Sequence, residues 1–166
     1  MTARWCGLIS MQVGLKKNGP QALGRSRGGL STKIHAAVEG LGNLVGFILT
    51  GGHVHDSVEA VPLLDKTASK ADQAEDKIQS VTADKAYDSA RIVEHIAALG
   101  ATAVIPQLAN RKEPRPVDWA QYKNRNLVER FFARLKQFRR LATRYDKLAA
   151  RFTSFIELAA AYVWLA

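Results

Sequence analysis

The 166-residue chain carries a single cysteine, Cys6. One thiol excludes a disulfide framework and any zinc site built from several cysteines, and it fits a reducing compartment. No apolar run approaches the roughly 20 residues that a membrane-spanning helix needs. The stretch from Leu8 to Val13 is short, is broken by Ser10 and Gln12, and has no basic start, so it does not read as a signal peptide. The expectation is a cytoplasmic chain with no membrane partner. Internal repeats and low-complexity segments are also lacking. Acids are scarce: 15 Asp and Glu stand against 24 Lys and Arg, a net charge of +9.

What is present suits one globular domain. The hydrophobic content is 47%, and the length is enough to bury a core. The positive excess is local. Between Gln121 and Arg151 ten Lys or Arg face only Glu129 and Asp146, a balance of +8. A concentrated basic field suits a polyanion, and nucleic acid is the commonest one.

Along the chain, Met1 to Asn18 has no clear period. Gln21 to Gly29 is a polar, Gly-rich loop whose Arg25 and Arg27 could either touch phosphates or form a solvated turn. Leu30 to Val38 alternates as a strand, Glu39 to Asn43 is a hairpin signal, and Leu44 to Thr50 reads as a second strand, covered on both faces. In Gly51 to Asp56, His53, His55 and Asp56 could suggest a metal cluster. A turn in which Asp56 or Ser57 caps the next helix is the stronger reading. A helix is expected over Ser57 to Thr67, with Val58, Val61, Leu63 and Leu64 inward. Ser69 to Lys77 reads as charged and exposed.

Ile78 to Ala83 reads as a strand ending at Asp84, and an acid at the carboxyl end of a buried strand is where α/β sheets place chemistry. Asp88 or Ser89 can cap the helix Ser89 to Leu99, which leaves Asp84 without an evident structural task. A short strand follows over Ala101 to Ile105, then a loop over Leu108 to Pro116. A long helix is expected from Val117 to about Arg144, and a second from Lys147 to Ala166. Phe152, Phe155, Ile156, Leu158, Ala159, Tyr162 and Val163 of that second helix would pack inward. This order predicts an α/β fold with a mixed sheet.

The long helix carries Tyr122, Arg125, Glu129 and Lys136 on one narrow face at about 100° per residue. Leu127, Val128, Phe131, Leu135 and Phe138 form a stripe opposite. An acid among cations on an anchored helix can serve as a ligand or base. The plainer reading is an i,i+4 ion pair between Arg125 and Glu129.

The spacing Y-x2-R-x3-E-x6-K resembles the Tyr-Arg-Glu-Lys motif of bacterial insertion-sequence transposases of the DDE type. More narrowly, GRSRGGLSTKIHA, TADKAYDS and RNLVERFFARLKQFRRLATRYDK resemble the insertion-sequence-five family, over about Lys16 to Ala166. The resemblance implies an RNase-H-like fold in which three acids bind two Mg²⁺ ions, with Mn²⁺ able to substitute, for phosphodiester cleavage and strand transfer. Asp84 matches the second acid and Glu129 the third. Both would be catalytic and metal-binding. Tyr122, Arg125 and Lys136 would contact DNA. Arg130, Arg134, Arg139, Arg140 and Arg144 extend the expected DNA-binding set. The implied partners are double-stranded DNA (transposon ends and target) and a second copy or a full-length transposase, in a bacterial cytoplasm at the nucleoid.

The family's first acid lies on the first strand, yet no aspartate precedes Asp56 here. The genetic code suggests why. Reading the last base of each codon with the first two of the next, Met1–Thr2 always contains an Asp codon, Trp5–Cys6 a Val codon and Met11–Gln12 an Ala codon. These fall where the family strand Asp-Gly-Thr-Val-Val-Arg-Ala-His-Gln-His-Ala needs them. The expectation is therefore that residues 1–15 are a non-homologous, out-of-frame segment and that residues 16–166 are the C-terminal part of the catalytic domain. The first central strand would be missing, or replaced by Leu8, Ile9, Met11 and Val13. Such a chain would have little activity alone. The alternative is a DNA-binding module that inhibits full-length transposase. A ribonuclease-H-type nuclease or resolvase would share the fold but not the Tyr-Arg-Glu-Lys spacing.

Overall fold

The computed structural model describes residues 5–14, 21–26, 29–73, 77–108 and 115–165. Among them six strands form one mixed sheet: β1 (Trp5–Gly14), β2 (Gly24–Ser26), β3 (Gly29–Val38), β4 (Leu44–Gly51), β5 (Ser80–Ala83) and β6 (Thr102–Val104). β3 runs antiparallel to β1, β2 and β4, whereas β5 runs parallel to β1 and to β6. These directions are those of the RNase-H-like arrangement expected above. Among the described residues six helices accompany the sheet: α1 (Ala60–Gln73), α2 (Ala90–Ala98), α3 (Trp119–Tyr122), α4 (Asn126–Leu135), α5 (Arg139–Ala142) and α6 (Ala149–Leu165).

The aperiodic start of the chain takes the central place. β1 bridges β3 and β5, with Met11 opposite Ile34 and Leu8 opposite both Ala37 and Ala83. The central slot is therefore occupied, by a strand that includes Leu8, Ile9, Met11 and Val13. β-propensity and the apolar neighbours on both sides suffice to hold the segment there.

The period-two alternation of strands sends side chains to two cores. Met11, Ile34, Ala36 and Val38 join Val128, Phe131, Phe132 and Leu135 of α4 and Phe152, Ile156 and Ala159 of α6. Leu8, Ala37, Val81 and Ala83 join Leu63 and Leu64 of α1 and Ile92 and Ile96 of α2 on the other face. Each buried Val, Leu, Ile, Phe or Met among them contributes on the order of 2 kcal/mol, and each alanine less. The β3–β4 hairpin closes as its sequence suggests. Gly42 sits at φ +88, a left-handed conformation open to glycine, and Gly42 N–H donates to the Glu39 carbonyl at 2.8 Å.

Several helices depart from expectation. The first begins at Ala60, because Asp56–Val58 forms a separate 3-10 turn. It then runs on past Thr67 to Gln73, into the stretch read as charged and exposed. Pro62 falls in its first turn, where no N–H partner is needed. Val58 points outward at 52% exposure. The strand before Asp84 is shorter than expected, starting at Ser80. The long helix is three pieces. Lys123–Arg125 tightens to 3-10, and the chain turns at Phe138, whose backbone is extended. In α6, Leu158 and Tyr162 face solvent rather than the core. Among the described residues no helix is long and apolar enough to cross a membrane.

Candidate active site and DNA-facing surface

Asp84 follows directly on β5, at the carboxyl end of the strand. It has a structural task after all. Its side chain caps the 3-10 turn Lys85–Tyr87, accepting from Ala86 N–H at 2.8 Å. Ser89 caps α2, and Asp88 is buried, accepting from Leu108 N–H at 3.0 Å and from Arg115 at 3.3 Å. One Asp84 oxygen is thus engaged, and the other is available to a ligand.

Glu129 lies in the first turn of α4 and is half-exposed. It pairs with Arg125 at 2.7 Å, as the i,i+4 spacing suggests. The Arg125 guanidinium also lies over the Tyr122 ring at 5.8 Å, and Trp119 meets Tyr122 edge-on at 5.6 Å. Trp119, 62% exposed, is a member of this face that pattern reading missed. The face Tyr122–Arg125–Glu129 therefore exists despite the break in the helix. Lys136 stands just beyond α4, exposed, its N–H still bonded to the Phe132 carbonyl at 2.9 Å. The 3-10 turn Lys123–Arg125, which leads into α4, packs on β5, the strand that leads into Asp84. Asp84 and Glu129 share no hydrogen-bond partner among the described residues.

The parallel register decides what stands beside Asp84. Leu8 pairs with Ala83, so one step further on Ile9 is level with Asp84. β1 reads WCGLISMQVG and contains no carboxylate. A polar cluster occupies the next positions instead. Lys33 donates to Asp56 at 2.8 Å and to the Val54 carbonyl at 2.7 Å. Burial pushes the Asp56 carboxyl up, but bonds from Lys33 and Ser10 together hold it below the usual carboxylate range. His35, across from Ser10, shares a 2.8 Å bond with Thr50, and burial lowers its pKa to about 4.

Asp56 is therefore committed to a lysine. His55 caps the 3-10 turn that follows it, sharing a 2.8 Å bond with Ser57. The metal reading of His53, His55 and Asp56 has no support, since no group of three or more His, Cys, Asp or Glu among the described residues could hold a metal. The same finding bears on Asp84 and Glu129. Two carboxylates, one capping a turn and one paired with an arginine, are a short donor set for a hard cation that takes about six oxygens. The described residues do not by themselves fit a divalent metal.

The basic residues fall into two groups. Arg130, Arg134 and Arg139 are exposed and pair with no carboxylate among the described residues. Arg140 donates twice to Asp146, at 3.0 and 2.7 Å, and lies over Phe155 at 5.2 Å. Arg144, expected in the DNA-binding set, is instead inside the protein. It is 1% exposed, stacks on Phe152 at 4.9 Å and donates to the carbonyls of Asp146 and Gln21, both at 2.9 Å, so it cannot touch DNA. Arg25 is exposed, and Arg27 lies outside the described residues.

The model of the transposase DDE domain matches residues 13–164, nearly the whole chain. The chain belongs to the DDE transposase family. Its relatives include the protein assigned as transposase for insertion sequence element IS6501 of Brucella ovis, 36% identical over 137 residues that cover 82% of this chain and 99% of the relative. Another, assigned to element IS402 of Burkholderia cepacia, is 32% identical over 152 residues, covering 90% and 69%. Among solved structures, the catalytic domain of Mos1 mariner transposase aligns at 7% identity and a TM-score of 0.45, covering 84% of this chain and 81% of that one. The Mos1 paired-end complex with the left transposon end aligns at 9% and 0.46, and this chain spans 54% of that one. Chemistry in the family depends on a divalent metal.

Proposed function

We propose that this chain is a transposase catalytic domain that holds duplex DNA along the exposed side of α4 but cannot complete phosphodiester chemistry alone. One observation carries the reading: β1 fills the central slot and brings no acid to the position level with Asp84. Asp84 and Glu129 are the two acids in place, and with a third beside Asp84 they would suit Mg²⁺, or Mn²⁺ in its stead. The match to the family begins at residue 13, which leaves residues 1–12 outside it. Tyr122, Arg125, Arg130, Arg134, Lys136 and Arg139 would face DNA phosphates. Assembly with a full-length transposase, in a bacterial cytoplasm, would then give a DNA-bound but inert complex.

The test is Ile9→Asp, which sets a carboxylate level with Asp84. The expected result is a melting temperature that rises on adding Mg²⁺, and nicking of terminal-repeat DNA that Glu129→Gln abolishes. A melting temperature of this variant that does not respond to Mg²⁺ would sink the missing-acid account.

A further inference from the structure

We propose that the segment Gln21–Ser26, strand β2 with the residues leading into it, is a second phosphate-contacting element of this protein, continuous with the α4 face, and that Arg144 and Gln21 are the residues that position it. The proposal rests on the DNA reading above and adds to it a surface far away in sequence. Three observations carry it.

The first is placement. Gly24 of β2 and Gly14, the last residue of β1, both pair with Ser31. The segment therefore sits at the carboxyl end of β1. Because β1 and β5 are parallel, this is also the end of the sheet that carries Asp84. From the level of Ile9 to Gly14 the strand rises about 17 Å, close to five base-pair steps of a duplex. A duplex lying over Asp84 and α4 would reach the segment within half a turn.

The second is the clamp. Arg144, buried at the α5–α6 turn, donates to the Gln21 carbonyl at 2.9 Å and to the Thr32 hydroxyl. Thr32 passes this on to the Ala22 carbonyl at 2.7 Å. From the other side, the Gln21 side-chain oxygen accepts from Ala149 N–H, at the start of α6, at 3.0 Å. Four bonds thus tie three groups of Gln21 and Ala22 to the residues that follow the exposed arginines of α4. A buried arginine is an expensive way to hold a solvated turn.

The third is strain with an exposed cation. Ala22 is held at φ +54, in the left-handed region that a residue with a Cβ avoids at a cost of about 1 kcal/mol. Gly24 packs so tightly on β4 that a Cβ there would meet the Gly51 Cα at 3.0 Å. Strain of this kind persists where the surroundings over-determine the backbone, and such places cluster at functional sites. What the strained segment presents is Arg25, exposed and paired with no carboxylate among the described residues.

Binding of the full chain to a 30-base-pair duplex, followed by fluorescence anisotropy across a salt series, tests this with Arg25→Gln, Gln21→Ala and the double variant. Arg25→Gln is expected to weaken binding about fivefold and to lower the salt slope by about one. Gln21→Ala is expected to reproduce most of that loss with the charge intact, and the double variant to lose nothing more, because a released Arg25 no longer meets its phosphate. A purely structural role for Gln21 would move the melting temperature but not the salt slope. Unchanged binding and slope in Arg25→Gln would overturn the segment as a contact. Additive losses would overturn the clamp. Failure of the unaltered chain to bind duplex would overturn the DNA reading beneath both, and it is seen before any variant is made.

Discussion

The two ends of one basic segment behave differently. On α4 the arginines point to water, and Arg125, in the turn before it, is neutralised by Glu129. Around the α5–α6 turn, Arg140 is spent on Asp146, and Arg144 lies inside the protein on Phe152 and backbone carbonyls. Both ends look alike as charge, yet one stays exposed to solvent, where the proposed function would have it meet DNA, and the other is a fastener. A guanidinium carries five donors in a planar fork, so it can close several backbone carbonyls at once as readily as it can grip a phosphate. The local balance of +8 therefore overstates the charge that DNA would meet.

The difference can be broken most forcefully at Arg144. Arg144→Met should destabilise the fold by about 3 kcal/mol or more, because it leaves several buried acceptors unsatisfied. Urea denaturation checks this, and an unchanged midpoint would mean that Arg144 is no fastener.

His35 gives the next largest effect, through pH. Its folded pKa, about 4, lies below the ordinary 6.5 because burial disfavours the cation. The unfolded chain therefore takes up a proton first as pH falls. Stability is intact above about 6.5 and is lost at up to about 1.4 kcal/mol per unit as pH drops toward 4. His35→Gln should flatten that limb of the denaturation profile. Asp146, held low by the Arg140 hydrogen bond, adds a separate loss only below the ordinary carboxylate range. Its stability is present above the unfolded pKa and disappears as pH falls through the folded one. An Arg140→Ala variant would remove this second limb.

Arg139→Ala and Arg140→Ala sharpen the comparison between adjacent residues. Arg139→Ala should weaken duplex binding and reduce the salt slope by about one, with no change in melting temperature. Arg140→Ala should lower the melting temperature as well. If the two variants are indistinguishable in both assays, the division drawn between the two ends is wrong. The smallest effect is a gain. Glu129→Gln frees Arg125 and should tighten duplex binding about two- to threefold at low salt.

Much of the fold was legible in the sequence, because period-two alternation at Leu30–Val38 and the glycines of the hairpin each follow from local geometry. The strand over Trp5–Gly14 was harder to read, since its place depends on neighbours on both sides rather than on its own pattern. The break in the long helix was hidden for a similar reason. No proline or glycine marks Phe138, and the apolar stripe continues straight through the turn. The candidate site was half legible. Asp84 and Glu129 stood out by position and spacing, but the capping task of Asp84 required the 3-10 turn to be seen. Arg144 was misread because its partners Gln21 and Thr32 are 123 and 112 residues away. Nothing near Arg144 in the chain separates a buried arginine from an exposed one.

The most direct test is to measure duplex binding and strand cleavage in the same tubes, with the unaltered chain, Mg²⁺ and terminal-repeat DNA. The account predicts binding that weakens steeply with salt, and no nicked product. Nicks that disappear with Glu129→Gln would contradict it, because they would show a complete acid set where β1 supplies none.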